Sequence, residues 1–149
     1  MAQMQSLRPE DLESILALEK SKALADGSDE IEASMKEWSS RWRREALEHY
    51  LPLGWSFGVF DNDKLQSYVI AKVIPFFRSY TQVLWIENIT TKDKLDKAQL
   101  MDVLYKYSKE KHLQYVMMDE NINISELNLD IPLEEISDRF FQVRTTKKA

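Results

Sequence analysis

Apolar residues recur at helical spacing in two stretches near the start of the chain. In LRPEDLESILALEKSK, the periodicity of Leu12, Ile15 and Leu16 predicts a first helix that follows a short first strand. After the polar break at Asp26-Gly27, apolar residues recur at intervals of four, three and four: Ile31, Met35, Trp38 and Trp42. The pattern predicts one long second helix that continues toward Tyr50, with Trp38 and Trp42 packed between helix and sheet.

Strand-like segments dominate the middle of the chain. WSFGVFDNDKLQSYVIAKVIPFF contains two β-rich runs on either side of residues 61–64, where Asp and Asn favour a turn, and this predicts a hairpin. Pro75 is expected to end the second run. YTQVLWIENIT is apolar at both alternating sets of positions, which predicts a central strand covered on both faces.

The remaining pattern predicts a third helix and three short elements. TTKDKLDKAQLMDVLYKYSKEKH carries a stripe of apolar residues and ends in cations, as the C-terminal end of a helix dipole favours. LQYVMM reads as a short buried strand, NISEL as a brief helix and RFFQVRTT as a last strand. The order predicts an α/β (α+β) class: one domain, residues 1–149, with a mixed, mostly antiparallel sheet flanked by helices.

Composition narrows the chemistry that this fold could carry. The 149 residues include no cysteine, which excludes thiolate metal sites and cysteine nucleophiles. The two histidines are isolated in the sequence, so we expect no metal. The net charge of −5 argues against nucleic-acid binding. No apolar run reaches membrane-spanning length and no signal peptide opens the chain, so we expect no membrane association and a cytoplasmic location.

Glycine is scarce, with three in the chain and none after Gly58. A loop that cradles phosphate with its backbone needs glycine where the main chain must approach the ligand closely. Such a loop therefore lies in the first third of the sequence or is absent.

Four strings, taken in order, resemble the GNAT N-acetyltransferase superfamily over nearly the full chain. They are LRPEDLESILALE, GVFDNDKLQSYVIAKV, LWIENITT and LMDVLYKYSKEKHLQYV. The resemblance implies a GNAT-like fold. It also implies acetyl-CoA as cofactor, with its pyrophosphate at the start of the helix that follows the fourth strand.

Two of that family's motifs are altered in this sequence. The glycine-containing phosphate motif falls on KDKLDK, where Lys92 takes the first position and the glycines are replaced by Leu95 and Lys97. The tyrosine that acts as general acid falls on Asn128, although Asn121, Ile124 and Leu127 keep the frame and the following pair reads Pro132-Leu133. The departures predict weakened or lost acetyl-CoA binding, and with it a binding or regulatory module.

The alternative is an active acyl-CoA-dependent N-acyltransferase with an atypical phosphate loop. Lys92, Lys94 and Lys97 would then hold the phosphates by charge, and the main chain of Asn88, Ile89 and Thr90 would pair with pantetheine.

Glu87, on the predicted central strand, is the candidate base for this alternative. A carboxylate among apolar neighbours can take a proton from an ammonium group. An ion pair between Glu87 and Arg78 or Arg144 would give it a structural role instead.

The connection PFFRSY is unusually aromatic for a loop. Phe76, Phe77 and Tyr80 therefore predict either a contact with a protein partner or second copy, or simple self-packing.

Overall fold

A computed structural model describes residues 2–127, 129, 131–134, 136 and 141–145. Its strands are β1 (Ala2–Ser6), β2 (Phe57–Asp61), β3 (Lys64–Phe77), β4 (Tyr80–Thr90) and β5 (Tyr115–Met117). Its α-helices are α1 (Leu12–Ala25), α2 (Glu30–Ser39), α3 (Arg44–Tyr50) and α4 (Lys94–Glu110). Short 3-10 turns occupy Pro9–Asp11, Leu51–Leu53, Glu120–Ile122 and Ser125–Leu127.

The five strands form one sheet in the order β1-β2-β3-β4-β5. Neighbouring strands are antiparallel except for β4 and β5, which are parallel because α4 connects them. The predicted hairpin is confirmed: Asn62 and Asp63 form its turn with φ of 51° and 63°. The predicted class, a mostly antiparallel mixed sheet flanked by helices, is therefore confirmed.

Side chains of the sheet alternate between two buried clusters. On the α4 face, Leu84 and Ile86 pack with Leu100 and Leu104. On the opposite face, Tyr68 and Ile70 pack with residues of α1 and α3: Ile15, Leu47 and Tyr50. β4 is thus covered on both sides, as its pattern predicts.

The predicted second helix is wrong in one respect: it is two helices. Residues 40–43 are not helical, so α2 and α3 are separate helices. The apolar stripe predicted from the spacing of residues 31–42 therefore does not continue along one helix. Trp42 packs partly against the α1–α3 cluster, but Trp38 is 76% exposed. The prediction of Trp38 as a core residue is therefore wrong.

Two strand predictions also need correction. β3 runs through Pro75, where β2 no longer pairs with it, so the missing N–H of Pro75 costs no bond on that side. Residues 141–145 of the predicted last strand have no strand structure, and Arg139, Phe140 and Thr146 lie outside the described residues.

Candidate functional site

Glu87 is an extra residue in the pairing of β4 with β3. Ile70 pairs with Asn88 and Ala71 pairs with Ile86, so Glu87 has no partner on β3 and forms a β-bulge. Glu87 lies on the same face of the sheet as Trp85, two residues before it, towards α3. The bulge shifts the alternation that follows, so the side chains of Asn88 and Thr90 also lie on the face of α1 and α3.

The half-buried carboxyl of Glu87 lies in a polar cluster. The indole Nε1 of Trp85 donates a hydrogen bond to Glu87 Oε1 at 3.2 Å. Tyr50 lies close enough to this carboxyl for the two groups to interact. Burial first, then the charge and hydrogen bond of Glu87, raises the pKa of Tyr50 to about 12. Tyr50 therefore stays a neutral donor at physiological pH.

Arg78, one of the ion-pair partners considered for Glu87, lies in the turn between β3 and β4. At about 3.3 Å per residue, that turn is roughly 20 Å along the strand from Glu87. The hypothesis of a Glu87–Arg78 pair is therefore wrong.

Arg41 joins β4 to the segment that follows β5. Its Nη1 donates to the carbonyl oxygen of Glu87 at 3.3 Å, and its Nη2 forms an ion pair with Asp119. Pairing between β4 and β5 covers only Val83–Trp85 and Tyr115–Met117, so the strands part beyond Trp85. Arg41 thus spans the point where the two strands separate.

Two further basic side chains lie near Tyr50. Lys72 Nζ is 3.4 Å from His49 Nε2 and 5.5 Å from the centre of the Tyr50 ring. Lys72 pairs with Trp85 across the ladder of β3 and β4. The site therefore combines the carboxyl of Glu87 and the hydroxyl of Tyr50 with two cationic side chains, Arg41 and Lys72.

The side chains of Asn88 and Thr90 point into a buried polar network. Tyr68 Oη and Thr90 Oγ1 donate to Glu19 Oε2 at 2.7 and 3.0 Å, and Asn88 Nδ2 donates to Tyr68 Oη at 2.9 Å. Burial, followed by the charge of Glu19, raises the pKa of Tyr68 well above its usual range. Ile89, between them, packs against the α4-face cluster.

Sequence analysis missed Glu19 and Tyr50. Glu19 occupies the buried stripe of α1, four residues from both Ile15 and Ala23, and an acid at such a position is the signal that could have found it. Tyr50 carried no comparable signal, because its contact with Glu87 joins residues that lie 37 positions apart in the sequence.

The first turn of α4 carries two carboxylates. Asp93 Oδ1 accepts a hydrogen bond from Asp96 N at 2.9 Å and caps the helix. Asp96, 3% exposed, accepts from Ser67 Oγ at 2.7 Å, and Ser67 Oγ accepts from Lys92 N at 3.0 Å. The segment that the resemblance aligns with a phosphate loop therefore carries three lysines and two aspartates, and it is the two carboxylates that bond at the start of the helix.

Two of the three lysines of this region contact the segment 123–126, and the third is exposed. Lys97 Nζ donates to the carbonyl oxygen of Asn123 at 3.1 Å, and Lys94 Nζ lies 3.9 Å from Glu126. Lys92 is exposed, like Leu95. Lys94 and Lys97 thus hold residues 123–126 against the start of α4.

Two residues after β5 pack into the cluster on the α4 face of the sheet. Ile122 and Ile124 are 5% and 6% exposed and belong to the same cluster as Ile86 and Leu100. Asn128, the position aligned with the family's general acid, lies outside the described residues. Leu133 of the Pro132-Leu133 pair is exposed.

The aromatic end of the β3–β4 hairpin is only partly open. Phe76 is 83% exposed and has a φ of +51°, which is unfavourable for a bulky residue. Phe77 is half-buried, and the ring of Tyr80 lies 4.5 Å from that of Tyr115. Self-packing therefore accounts for Tyr80 but not for Phe76.

Neither a metal cluster nor a membrane-spanning helix occurs in the described part of the chain. No group of three or more His, Cys, Asp or Glu side chains there could hold a metal ion. None of its helices is both long and apolar enough to cross a bilayer.

Comparison with known proteins identifies the fold. No family model and no curated protein matches the sequence. Among solved structures, a GCN5-related N-acetyltransferase from Ralstonia eutropha is similar, at 15% identity and a TM-score of 0.60 over 94% of this chain and 99% of that chain. A probable acetyltransferase from Staphylococcus epidermidis shares 22% identity, with a TM-score of 0.62 over 85% of this chain and 78% of that chain.

A third similar structure is that of a predicted acetyltransferase from Clostridium acetobutylicum with acetyl-CoA. The identity is 11% and the TM-score is 0.59 over 93% of this chain and 96% of that chain. At these identities the likeness defines the fold alone: the chain has the GNAT fold.

Proposed function

We propose that this chain is a GNAT-fold binding module that does not hold acetyl-CoA in the manner of the acetyltransferases it resembles. The observation that carries the proposal is the start of α4. A pyrophosphate bound there would need free backbone N–H groups and a positive field. The N–H of Asp96 is already donated to Asp93, and the carboxylates of both residues would repel the phosphates.

The region between β4 and β5 supports the same proposal. Ile122 and Ile124 are buried beside β4, and Arg41 occupies the carbonyl of Glu87 while it pairs with Asp119. A pantetheine chain would have to displace these contacts before it could reach the main chain of residues 88–90.

Titration with acetyl-CoA tests the proposal. We expect no heat of binding by calorimetry and no rise in melting temperature up to about 1 mM ligand, because a ligand that does not bind the native state cannot stabilise it. Stabilisation that increases with ligand concentration would contradict it.

A charge variant provides the matched comparison. Asp93→Asn combined with Asp96→Asn keeps the cap and the contact with Ser67 while it removes both charges. If the carboxylates exclude the phosphates, this variant should bind acetyl-CoA more tightly than the natural chain does. Equal lack of binding would show that the two charges are not the cause.

A second candidate, an N-acyltransferase, is favoured by the position of Glu87 in the β4 bulge. Glu87 would take a proton from the ammonium of an acceptor, and the free amine would attack the thioester carbonyl. The C–S bond would then break, Tyr50 would protonate the leaving thiolate, and the tyrosinate would take back a proton from the amide nitrogen. Lys92, Lys94 and Lys97 would hold the phosphates by charge.

Kinetics of acyl transfer distinguish this candidate. If the chain transfers acetyl groups, Glu87→Gln should slow transfer by a factor of about 10²–10⁴, the usual effect of losing a general base. An unchanged rate would remove Glu87 from the mechanism.

The binding-module proposal also includes a contact with a protein partner or a second copy. The surface predicted for that contact, Phe76, Phe77 and Tyr80, stays a prediction.

A further inference from the structure

The outer face of α2 carries a row of exposed apolar side chains. Ile31, Met35 and Trp38 are 73%, 66% and 76% exposed. Their spacing of four and three residues puts them on one side of the helix. The residue that α2 buries is Ala33, on the other side. An apolar stripe of this kind usually faces a core, so its exposure marks an interaction surface.

The spacing along this stripe suits pairing with a second copy of itself. Met35 lies near the middle, with Ile31 one turn before it and Trp38 one turn after it. In an antiparallel pair related by a two-fold axis, Met35 meets Met35, and Ile31 of each copy meets Trp38 of the other. The small and large ends of the stripe therefore complement each other.

Charges at the ends of α2 favour the same arrangement. Glu30 and Glu32 lie in its first turn, and the guanidinium of Arg43 lies at its last turn, 3.5 Å from the carbonyl of Trp38. Antiparallel pairing brings the acidic end of one copy to Arg43 of the other and opposes the helix dipoles. Parallel pairing would place like charges together.

These charged groups stay accessible in the single chain. Glu30 lies 3.8 Å from Lys20 and its side chain is 80% exposed. Arg43 lies 3.8 Å from Glu45 and its side chain is 50% exposed. Such loose surface pairs do not prevent either group from meeting a partner.

We propose that the exposed stripe of α2 is an antiparallel, two-fold interface between two copies of this chain. This proposal does not depend on whether acetyl-CoA binds. The titration with acetyl-CoA tests the proposed function, and the experiments below test the dimer, so either can fail without the other. Because the stripe is short, the dimer should be weak.

Sedimentation from about 1 to about 100 µM tests the proposal. We expect dimer at the upper concentrations and monomer at the lower ones. Met35→Glu should abolish the dimer, since it places two carboxylates on the axis. Because Met35 is exposed, this variant should keep the circular dichroism spectrum and melting temperature of the natural chain. Phe76→Ser, at the separate hairpin end, is the control and should leave the dimer intact.

Charge reversal tests the orientation. Glu30→Arg with Glu32→Arg should weaken the dimer by about tenfold or more, and adding Arg43→Glu should restore it. Failure of the triple variant to recover would contradict the antiparallel arrangement.

The absence of native cysteine allows crosslinking without background. Met35→Cys should form a disulfide between copies. Ile31→Cys should do so only when mixed with Trp38→Cys. A purely monomeric chain at 100 µM, crosslinking of Ile31→Cys to itself, or loss of the dimer in Phe76→Ser would each overturn the proposal. Binding of the stripe to lipid vesicles without self-association would also overturn it.

Discussion

Glu19 shows how much one buried side chain can organise. It lies on the inner face of α1, 6% exposed, and accepts hydrogen bonds from Tyr68 on β3 and Thr90 on β4. These bonds join a helix to two strands. A buried carboxyl is tolerated because donors surround it, and each donor in turn depends on the carboxyl.

A double-mutant cycle measures this dependence. Tyr68→Phe should lower the free energy of unfolding by about 1–3 kcal/mol, because the Glu19 carboxyl loses a donor inside the core. Glu19→Ala should cost at least as much, since two buried hydroxyls lose their acceptor. Denaturant unfolding of both single variants and the double variant gives the coupling.

We expect the double variant to be less destabilised than the sum of the single variants, by about 0.5–3 kcal/mol. Strict additivity would mean that the contact between Glu19 and Tyr68 contributes nothing of its own.

At the scale of elements, α4 begins where it does because Asp93 caps it. Asp93 has extended backbone angles, φ −157° and ψ 176°, and its side chain accepts from Asp96 N. Ser67 on β3 then ties the first turn to the sheet through Asp96. The same contacts that start the helix fill the place where an anion would otherwise approach its positive end.

Removal of this cap has a defined cost. Asp93→Ala should lower stability by about 0.5–2 kcal/mol, the usual cost of losing an N-cap acceptor, as measured by denaturant unfolding. Asp93→Asn is the matched control, because asparagine also caps helices well, and it should cost much less. Equal losses in the two variants would assign the effect to charge and not to capping.

At the scale of the whole molecule, the sheet separates two buried clusters, and the α1–α3 side contains tyrosines that must stay neutral. Tyr50 and Tyr68 are 5% and 0% exposed, and the pKa of each is raised, that of Tyr50 to about 12. In the unfolded chain each would ionise near pH 10. Between pH 10 and the folded pKa, the unfolded state therefore binds fewer protons than the native state.

Stability should accordingly be maintained below pH 10 and fall as pH rises above it. Each of the two tyrosines contributes a slope of up to about 1.4 kcal/mol per pH unit. Urea unfolding between pH 8 and pH 11 measures the slope. Tyr50→Phe should reduce it at the alkaline end, and an unchanged slope in that variant would contradict the assignment.

Much of the fold could be predicted because the signals for it are local. The two-sided apolar pattern of YTQVLWIENIT predicts β4 as the structure has it, and Asn62-Asp63 predicts the turn between β2 and β3. Only part of the candidate site could be predicted from the sequence. Glu87 stands out as an acid in an apolar strand, but its partners Tyr50 and Arg41 lie 37 and 46 residues away in the sequence.

The sequence by itself determined the order of β1, α1, β2, β3, β4, α4 and β5, the coverage of β4 on both faces and the scarcity of glycine, because periodicity and backbone freedom are properties of neighbouring residues. Tertiary structure decided which side of α2 faces water, that Glu87 occupies a bulge, and that Asp93 and Asp96 close the start of α4. Each of these features depends on contacts between segments that are far apart in the chain. The free energy of such contacts depends on both segments, so the pattern of one segment alone does not predict them.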